Sequence, residues 1–517
     1  MKQTKILWVD DEIEILKPHI LFLEQKGYNV MASNNGMDAI DLIESERFDI
    51  VFLDENMPGL SGIETLERIK KSRPQLPVVM ITKSEEESIM EDAIGSNIAD
   101  YLIKPVKPNQ ILLSLKKNLE TKKLVSEKTI SAYQQEFRTI SMELSDAVDY
   151  KDWEAIYKKL VQWELNLDYS NDEGMLEILM QQKEEANAMF GKYISRNYSD
   201  WQNADTNDIP LFSNELLKKK VFPALKSDKP LFLFIIDNLR YDQWKSIEPL
   251  LEPYFYSDKE ELYYSILPTA TQYARNALFA GMMPLEIQKK MPEYWVDEIE
   301  SQGKNNFEKE LLENQLTRWA HPVSFSYHKV LNMDFAKRLL DKFSDLLNNQ
   351  LNVIVYNFVD MLSHARTDIE IIRELAEDES AYRSLTRSWF EHSPLFDMLK
   401  YLANKGLDVM ITTDHGSIRV KNPVQIIGDK ATSVNLRYKT GKNLAYNPKE
   451  VFEIRDPHEI HLPKQQITSR FIFARQADFL AYKNNYNHYA AHYKNTFQHG
   501  GISLEEMLIP FVFLKAR

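Results

Sequence analysis

Cysteine is absent from the 517 residues of this chain. Disulfide bonds and thiolate metal ligands are therefore excluded, and any zinc site must use histidine and carboxylate side chains. Long apolar runs are also absent, since none approaches the roughly 20 residues that a membrane-spanning helix needs. No signal peptide precedes the first predicted strand. These absences predict a cytoplasmic protein without membrane insertion.

Basic charge is scarce relative to acidic charge. Lysine and arginine number 63 against 77 aspartate and glutamate residues, so the formal net charge is −14. This balance argues against a broad basic surface for DNA. A DNA-binding transcription factor is one alternative interpretation, but no compact basic helical pair of the helix-turn-helix kind follows residue 121.

The length predicts about three domains at roughly 150 residues each. Apolar strands alternate with helical patterns near both ends of the chain, and a helical stretch lies between them. A polar, proline-ended loop at 203–210 marks one boundary. We therefore expect a multidomain α/β protein with three parts, at 1–121, 122–205 and 206–517.

Four apolar runs of strand length lie in the first part: KILWVD, DIVFLD, PVVMIT and DYLI. Runs of this kind are typical of parallel strands covered by helices on both faces. Polar residues follow them, and the carboxyl ends of parallel strands meet at one edge of a sheet. Clustered carboxylates at this edge favour Mg²⁺, which prefers oxygen ligands. The residues expected there are Asp10, Asp11, Asp54, Thr82 and Lys104.

The ordered motifs DD, DENMPG, IT and YLIKP resemble the receiver domain of two-component response regulators. The resemblance implies a flavodoxin-like fold and a cognate histidine kinase that phosphorylates Asp54. It implies that Lys104 contacts the phosphoryl group and that Thr82 and Tyr101 form a switch pair. The implied Mg²⁺ ligands are Asp10, Asp11, Asp54 and Asn56.

The middle part, 122–205, repeats apolar residues at alternating spacings of three and four. Such stripes predict two or three helices that pack as a small bundle. No flexible linker separates this part from the first, so a continuous helix after Pro108 is expected to join them. The bundle is interpreted either as a structural spacer or as a transmitter of the phosphorylation switch.

The last part, 206–517, contains three more buried strands, and each is followed by metal-ligating residues. Asp360 and His364 are four residues apart, so one helical turn places both on one face. Adjacent Asp and His residues reach one metal from a loop, and two glycines in FQHGGIS allow close backbone approach. Three carboxylates and three imidazoles suffice for two zinc ions. The candidate ligands are Asp237, Asp360, His364, Asp414, His415 and His499.

A threonine supplies the candidate nucleophile in PTATQYARNALFAGMMP. Zinc lowers the pKa of a coordinated hydroxyl, and a helix N-terminus beside it helps to hold phosphate. The segment and the ligand order resemble the alkaline phosphatase superfamily, specifically its nucleotide phosphodiesterase branch and the PglZ domain. The resemblance implies Thr271 as nucleophile. It assigns one zinc to Asp237, Thr271, Asp414 and His415, and the other to Asp360, His364 and His499.

One feature departs from that branch, because no asparagine follows Thr271 at about twenty residues. Backbone amides near Thr271, or Arg275, are the candidate substitutes for binding a phosphate oxygen. His321 and His328 are interpreted as packing or surface residues, with substrate contact as the alternative. Arg419 and Lys421 are interpreted as a solvated basic loop, with substrate phosphate as the alternative.

The order of the three parts resembles PorX-like response regulators, which are linked to type IX secretion. The resemblance implies a phosphorylation-dependent homodimer and a nucleotide or oligonucleotide substrate, with a sigma factor or a secretion-system protein as a further partner. We therefore predict a response regulator with a zinc-dependent phosphodiesterase output. The alternatives are a metal-binding module with little catalysis and a phosphomonoesterase or phosphomutase.

Overall fold

A computed structural model describes the chain except residues 1–3, 75, 84–97, 171–172, 207, 227–228, 298–302, 320–322, 369–377, 429–431, 465 and 485. The chain forms two compact units, Met1–Tyr133 and Gln134–Arg517. The second unit contains both the end of the helical segment and the C-terminal α/β region. The division at residues 121 and 205 remains a prediction from the sequence.

The first unit contains a five-stranded parallel sheet in the order β2-β1-β3-β4-β5. This is the flavodoxin-like order, in which ligands bind at the carboxyl ends of the strands. The four strands expected from apolar runs are present, while β2 was missed because it is a largely exposed edge strand. The elements are β1 Lys5–Val9, α1 Lys17–Gln25, β2 Asn29–Ser33, α2 Gly36–Ser45, β3 Ile50–Asp54, α3 Gly62–Ser72, β4 Val78–Thr82 and β5 Asp100–Ile103.

Three long helices follow: α4 Pro108–Asp146, α5 Tyr150–Ser170 and α6 Glu173–Gln202. Helix α4 runs unbroken from Pro108, which confirms the prediction of a continuous helix there. Helices α5 and α6 pack together, and the rings of Trp153 and Phe190 lie 5.4 Å apart in an edge-on arrangement. Aromatic pairs of this geometry stabilise helix packing beyond the burial of their area.

A six-stranded mixed sheet forms the core of the second unit, in the order β7-β18-β10-β6-β9-β8. Strands β8, β9, β6 and β10 are parallel, and β18 is antiparallel to both of its neighbours. Strands β6, β9 and β10 are buried along their whole length. The strands are β6 Leu231–Ile236, β7 Phe255–Tyr264, β8 Phe325–Val330, β9 Leu351–Tyr356, β10 Val409–Thr412 and β18 Leu508–Ala516.

The α-helices of this region are α7 Ser213–Leu216, α8 Tyr241–Leu251, α9 Thr271–Ala280, α10 Pro284–Lys290, α11 Glu308–Trp319, α12 Met333–Asp341, α13 Phe358–Asp368, α14 Glu379–Glu391, α15 Pro394–Asn404, α16 Tyr486–Tyr493 and α17 Leu504–Met507.

Three small sheets lie between β10 and β18, and the sequence analysis did not anticipate them. Their strands pair as β11-β17, β12-β16 and β13-β15-β14. They are β11 Ile418–Arg419, β12 Asn422–Ile426, β13 Tyr438–Gly441, β14 Val451–Ile454, β15 Arg470–Ala474, β16 Asp478–Tyr482 and β17 Phe497–Gln498.

Candidate phosphoacceptor and metal centres

Three carboxylates of the first unit lie at the carboxyl edge of its sheet. Ligand atoms of Asp10, Asp11 and Asp54 lie within 4.8 Å of one another. The ammonium group of Lys104 is 2.9 Å from an oxygen of Asp10 and 2.9 Å from an oxygen of Asp54. Burial raises the pKa of Asp54, and the neighbouring carboxylates add to this effect while Lys104 opposes it. A divalent cation at this position offsets the repulsion among the three carboxylates.

The remaining candidate residues of the first unit differ in how deeply they are buried. Thr82 is buried at the end of β4 and its hydroxyl donates to Glu55. Tyr101 is 42% exposed, and Asn56 is exposed in the loop after β3. The sequence analysis did not anticipate Glu55 as the partner of Thr82.

One group of the second unit consists of Asp237, Asp414 and His415. All three residues are fully buried, and their ligand atoms lie within 4.8 Å of one another. Asp237 follows β6, while Asp414 and His415 lie in the loop after β10. Because β6 and β10 are parallel neighbours, their carboxyl ends bring these residues together. His415 Nε2 is 3.7 Å from Asp237 Oδ1 and 3.7 Å from Asp414 Oδ2.

A second group consists of Asp360, His364 and His499, whose ligand atoms also lie within 4.8 Å of one another. Asp360 and His364 share one face of α13, as their spacing predicts. Nε2 of His364 and Nε2 of His499 are each 3.6 Å from a carboxylate oxygen of Asp360. The side chain of His364 is 63% exposed, so this group opens to solvent while the first group is enclosed.

The two groups are adjacent parts of one centre. The rings of His415 and His499 stack with centroids 4.3 Å apart. The backbone N–H of Asn238 lies 3.5 Å from Asp414 Oδ1, and its side-chain amide donates to Asp360 Oδ1 at 3.4 Å. Asn238 adopts the left-handed conformation, with φ of 64°. The sequence analysis missed this residue, although it directly follows Asp237.

Thr271 begins helix α9 beside the enclosed group. Its hydroxyl oxygen lies 3.0 Å from His415 Nε2 and 3.5 Å from Asp237 Oδ1. Thr269 is buried instead, where its hydroxyl donates to Gly501 O and accepts from the N–H of Gly500. The two threonines of the PTAT segment therefore occupy different environments: the hydroxyl of Thr271 contacts the enclosed ligand group, whereas Thr269 contacts His499 Nδ1 through its backbone carbonyl at 3.3 Å.

Two glycines hold the loop that carries His499. Gly500 has φ of 119°, a conformation that side chains rarely adopt. A Cβ atom on Gly501 would lie 2.5 Å from Ala474 O. The loop therefore requires glycine at both positions, as the sequence analysis expected from FQHGGIS.

The electrostatics of the centre fit divalent cations. Burial and the charge of Asp237 raise the pKa of Asp414 to about 6, and the same causes raise the pKa of Asp360. Burial and nearby His415 lower the pKa of His499, which favours the neutral imidazole that binds metals. Asp414 Oδ2 is buried and accepts no hydrogen bond. A carboxylate and imidazole donor set of this kind suits zinc.

Arg275 is not available to substrate in this arrangement, and that interpretation of the sequence is wrong for the structure. Its guanidinium is 1% exposed and lies 2.7 Å from Asp237 Oδ2. Its Nε donates to Glu308 at 2.8 Å. The guanidinium of Arg275 therefore forms ion pairs with Asp237 and Glu308, and the pair with Asp237 holds that carboxylate in position.

Asn305 is a candidate residue that the sequence analysis missed. Its amide donates to the backbone carbonyl of Thr271 at 3.0 Å and to Asn276 Oδ1 at 3.1 Å. Lys329 in turn donates to the carbonyl of Asn305 at 2.9 Å. Asn305 lies 34 positions beyond Thr271, outside the spacing of about twenty residues that the resemblance implies for an asparagine.

The remaining candidates lie elsewhere in the second unit. His328 lies in the edge strand β8, where burial lowers its pKa. Lys421 pairs with Glu184 of helix α6, and Arg419 lies in β11. His321 lies outside the described residues.

Comparisons with known proteins match three consecutive parts of the chain. Residues 6–116 match the response regulator receiver domain, and residues 123–202 match the PorX response regulator linker domain. Residues 216–514 match the BREX system PglZ alkaline phosphatase-like domain.

Curated relatives match the first unit. The alginate biosynthesis transcriptional regulatory protein AlgB of Pseudomonas syringae is 36% identical over 122 residues, which cover 24% of this chain and 27% of that protein. The transcriptional regulatory protein ResD of Bacillus subtilis is 33% identical over 114 residues, which cover 22% of this chain and 47% of that protein. The chain thus spans less than half the length of either relative.

A solved structure also matches the first unit. The CheY-like receiver domain protein of Methanospirillum hungatei is 29% identical, covering 23% of this chain and 96% of that chain with a TM-score of 0.23.

The fold and the matches define a response regulator, in which a receiver domain is joined to an alkaline phosphatase-like domain. The chain belongs to the PglZ family, whose match covers more than half of its length. The receiver domain implies a cognate histidine kinase and phosphorylation. In the described part of the chain, no helix is both long enough and apolar enough to cross a membrane.

Proposed function

We propose that the second unit is a zinc-dependent phosphodiesterase in which Thr271 is the nucleophile. The observation that supports this most is the position of the Thr271 hydroxyl, 3.0 Å from His415 Nε2 and beside two adjoining ligand groups. A phosphoryl-transfer centre needs a hydroxyl nucleophile next to charges that neutralise the phosphate. Nucleotide-type phosphodiesters are the proposed substrates.

In the proposed reaction, Thr271 Oγ1 attacks phosphorus in line with the leaving oxygen. The new P–O bond gives a phosphothreonine as the bond to the leaving oxygen breaks. The proton of the Thr271 hydroxyl passes to solvent, and the leaving alkoxide takes up a proton from water. A second water then hydrolyses the phosphothreonine to a phosphate monoester and free Thr271. Bound zinc lowers the pKa of the attacking hydroxyl and neutralises charge on the leaving oxygen. Asp237, Asp414 and His415 hold the ion at Thr271.

The other ion is held by Asp360, His364 and His499. Helix α9 begins at Thr271, and its N-terminus, which favours negative charge, is proposed to help hold the phosphate. Asn305 is proposed to position the nucleophile, because its amide donates to the backbone carbonyl of Thr271 at 3.0 Å and to Asn276 Oδ1 at 3.1 Å.

Regulation is proposed to come from the first unit. Phosphorylation of Asp54, with Mg²⁺ bound by Asp10, Asp11, Asp54 and the carbonyl of Asn56, controls dimerisation and output. Thr82, Tyr101 and Lys104 respond to the phosphoryl group. The match to the PorX response regulator linker domain supports the resemblance to PorX-like response regulators, from which we propose a role in type IX secretion with a sigma factor or a secretion-system protein as partner.

The test uses full-length, zinc-loaded protein and bis-p-nitrophenyl phosphate. We expect turnover by the wild-type protein and no turnover by Thr271→Val, with zinc content unchanged. Thr271→Ser is the matched control because it keeps a hydroxyl in nearly the same position, and it should retain measurable activity. Equal activity of Thr271→Val and wild type would exclude Thr271 as nucleophile. Zinc binding without any turnover by the wild type would favour the binding-module alternative.

A further inference from the structure

Glu164 of helix α5 is a fully buried carboxylate with two cationic partners. Its Oε2 accepts from the ammonium of Lys183 at 2.6 Å, and its Oε1 accepts from the guanidinium of Arg383. Burial alone would raise the pKa of Glu164, but Arg383 and Lys183 hold it below its usual range. An ionised carboxylate in this position is stable only while both partners remain.

The Arg383 side of this network leads to the loop that carries Asp237. Arg383 Nη1 is 3.0 Å from Asp242 Oδ2, and Asp242 Oδ1 accepts from Arg240 Nε at 2.9 Å. Arg240 also pairs with Glu379 at 2.6 Å. Because Arg240 is three residues after Asp237 and immediately precedes α8, these contacts fix the path of the chain as it leaves β6.

The Lys183 side leads to the segment that follows His499. Lys183 lies 3.5 Å from Glu505 Oε1. The amide of Asn187 in α6 donates to Glu505 at 3.0 Å, and its oxygen accepts from the N–H of Leu504 at 2.8 Å. The first turn of helix α17 is therefore fixed to helix α6.

Helix α17 in turn holds both histidine-bearing loops. The carboxylate of Glu506, the residue after Glu505, accepts from the N–H of Gly501 at 2.8 Å. Gly501 lies two positions beyond His499. Its backbone carbonyl accepts from the N–H of Gly416, which follows His415, at 3.2 Å. Both ligand groups are thus connected to helices α5 and α6 through buried charges.

We propose that Glu164 is a positioning residue for the metal centre, acting through Arg383 on the Asp237 loop and through Lys183 on the His499 loop. The role rests on the proposed function where activity is concerned, but not where metal affinity is concerned. Partners behind metal ligands orient them, and their loss commonly lowers affinity or activity by about 10- to 100-fold. The helices after the receiver are then part of the catalytic machinery rather than a spacer.

The test replaces Glu164 by glutamine in the full-length protein, which removes the charge and keeps the shape. We expect zinc affinity, measured by competition with a chelator, to fall about tenfold, and kcat for bis-p-nitrophenyl phosphate to fall about 10- to 100-fold with KM within about twofold. Hydrogen exchange should increase in segments 237–242 and 499–506. The matched control is Glu143→Gln, which removes the partner of Lys159 at 2.5 Å, outside this network, and should change none of these.

Unchanged zinc affinity and unchanged exchange in folded Glu164→Gln would overturn the proposal, as would faster exchange confined to α5 and α6. If Glu164→Gln does not fold, Asp168→Asn tests the Arg383 arm, because it removes only the carboxylate that pairs with Arg383 Nη2. Exchange should then increase in segment 237–242, and unchanged exchange there would overturn that arm. If the wild type shows no turnover, the proposed function fails, while zinc affinity and exchange still test Glu164.

Discussion

The guanidinium of Arg275 lies 2.7 Å from Oδ2 of Asp237, and both side chains are only 1% exposed. This pairing assigns the arginine after the candidate nucleophile to a metal ligand rather than to substrate. Nε of the same guanidinium lies 2.8 Å from Oε1 of Glu308. Arg275 therefore neutralises two buried carboxylates, of which Glu308 has a second cationic partner in Lys329 at 3.2 Å.

Replacing Arg275 by methionine should lower the free energy of unfolding of the zinc-free protein by about 3–5 kcal/mol, because breaking a buried ion pair leaves a charge without a partner. Urea denaturation in the presence of a chelator measures this. The matched control is Lys290→Met, whose exposed pair with Glu286 should contribute no more than about 1 kcal/mol. A raised KM with unchanged stability would instead indicate that Arg275 contacts substrate.

The strand ends were predictable because uniformly apolar runs are typical of buried parallel strands. Asp237 and the Asp414-His415 pair directly follow such runs, and the sheet brings them together. The pairing of Asp360 with His364 was also predictable, since a spacing of four residues places two ligands on one helical face. The receiver positions were recognisable because their motifs occur in a fixed order.

Other parts of the centre depend on tertiary contacts that local patterns do not contain. Asn305 reaches Thr271 only because the chain returns to α9 just before α11. Nothing in the sequence around Arg275 distinguishes an arginine that pairs with Asp237 from an arginine that binds phosphate. All seven of the strands β11–β17 have two to five residues. Some of them, such as β12 (NPVQI) and β13 (YKTG), mix polar with apolar residues and lack the apolar run that indicated the equally short β3 and β10.

Asn305 provides a test of how Thr271 is positioned, without altering the carboxylate and imidazole ligands. Asn305→Ala should lower kcat/KM for bis-p-nitrophenyl phosphate by up to about 100-fold, since a misplacement of the nucleophile by about 1 Å can cost about 10² in rate. Steady-state kinetics of the zinc-loaded protein measures the effect. The neighbouring, exposed Asn306→Ala is the matched control and should behave as the wild type. Equal kinetics for the two variants would remove Asn305 from the proposed mechanism.

Asp54 should be the acceptor for phosphate from acetyl phosphate in the presence of Mg²⁺. Its carboxylate lies at the end of β3 beside Lys104, which neutralises an incoming phosphoryl group. Labelling of Asp54→Ala with radioactive acetyl phosphate should fall to background, while Asp41→Asn, on the exposed face of α2, should be labelled like the wild type. Persistent labelling of Asp54→Ala would place the acceptor on another residue.

Glu154 of helix α5 provides a test of the pH dependence of stability. Burial raises its pKa from 4.5 to about 7; Lys158 opposes this and Glu261 adds to it. The folded state therefore binds the proton more tightly than the unfolded state, so the contribution of Glu154 is fully present below about pH 4.5. It is lost as the pH rises through about 7.

Glu154→Gln should therefore match the wild type in stability near pH 4.5 and exceed it above pH 8. The difference between the two pKa values corresponds to at most about 3 kcal/mol, because one pKa unit equals about 1.36 kcal/mol and solvent reaches part of the group. Urea denaturation at the two pH values measures it. The sign separates burial from ion pairing, since a carboxylate stabilised mainly by Lys158 would make Glu154→Gln less stable at high pH. If Glu154→Gln were less stable than the wild type above pH 8, Glu154 would not be a buried carboxylate without a compensating charge.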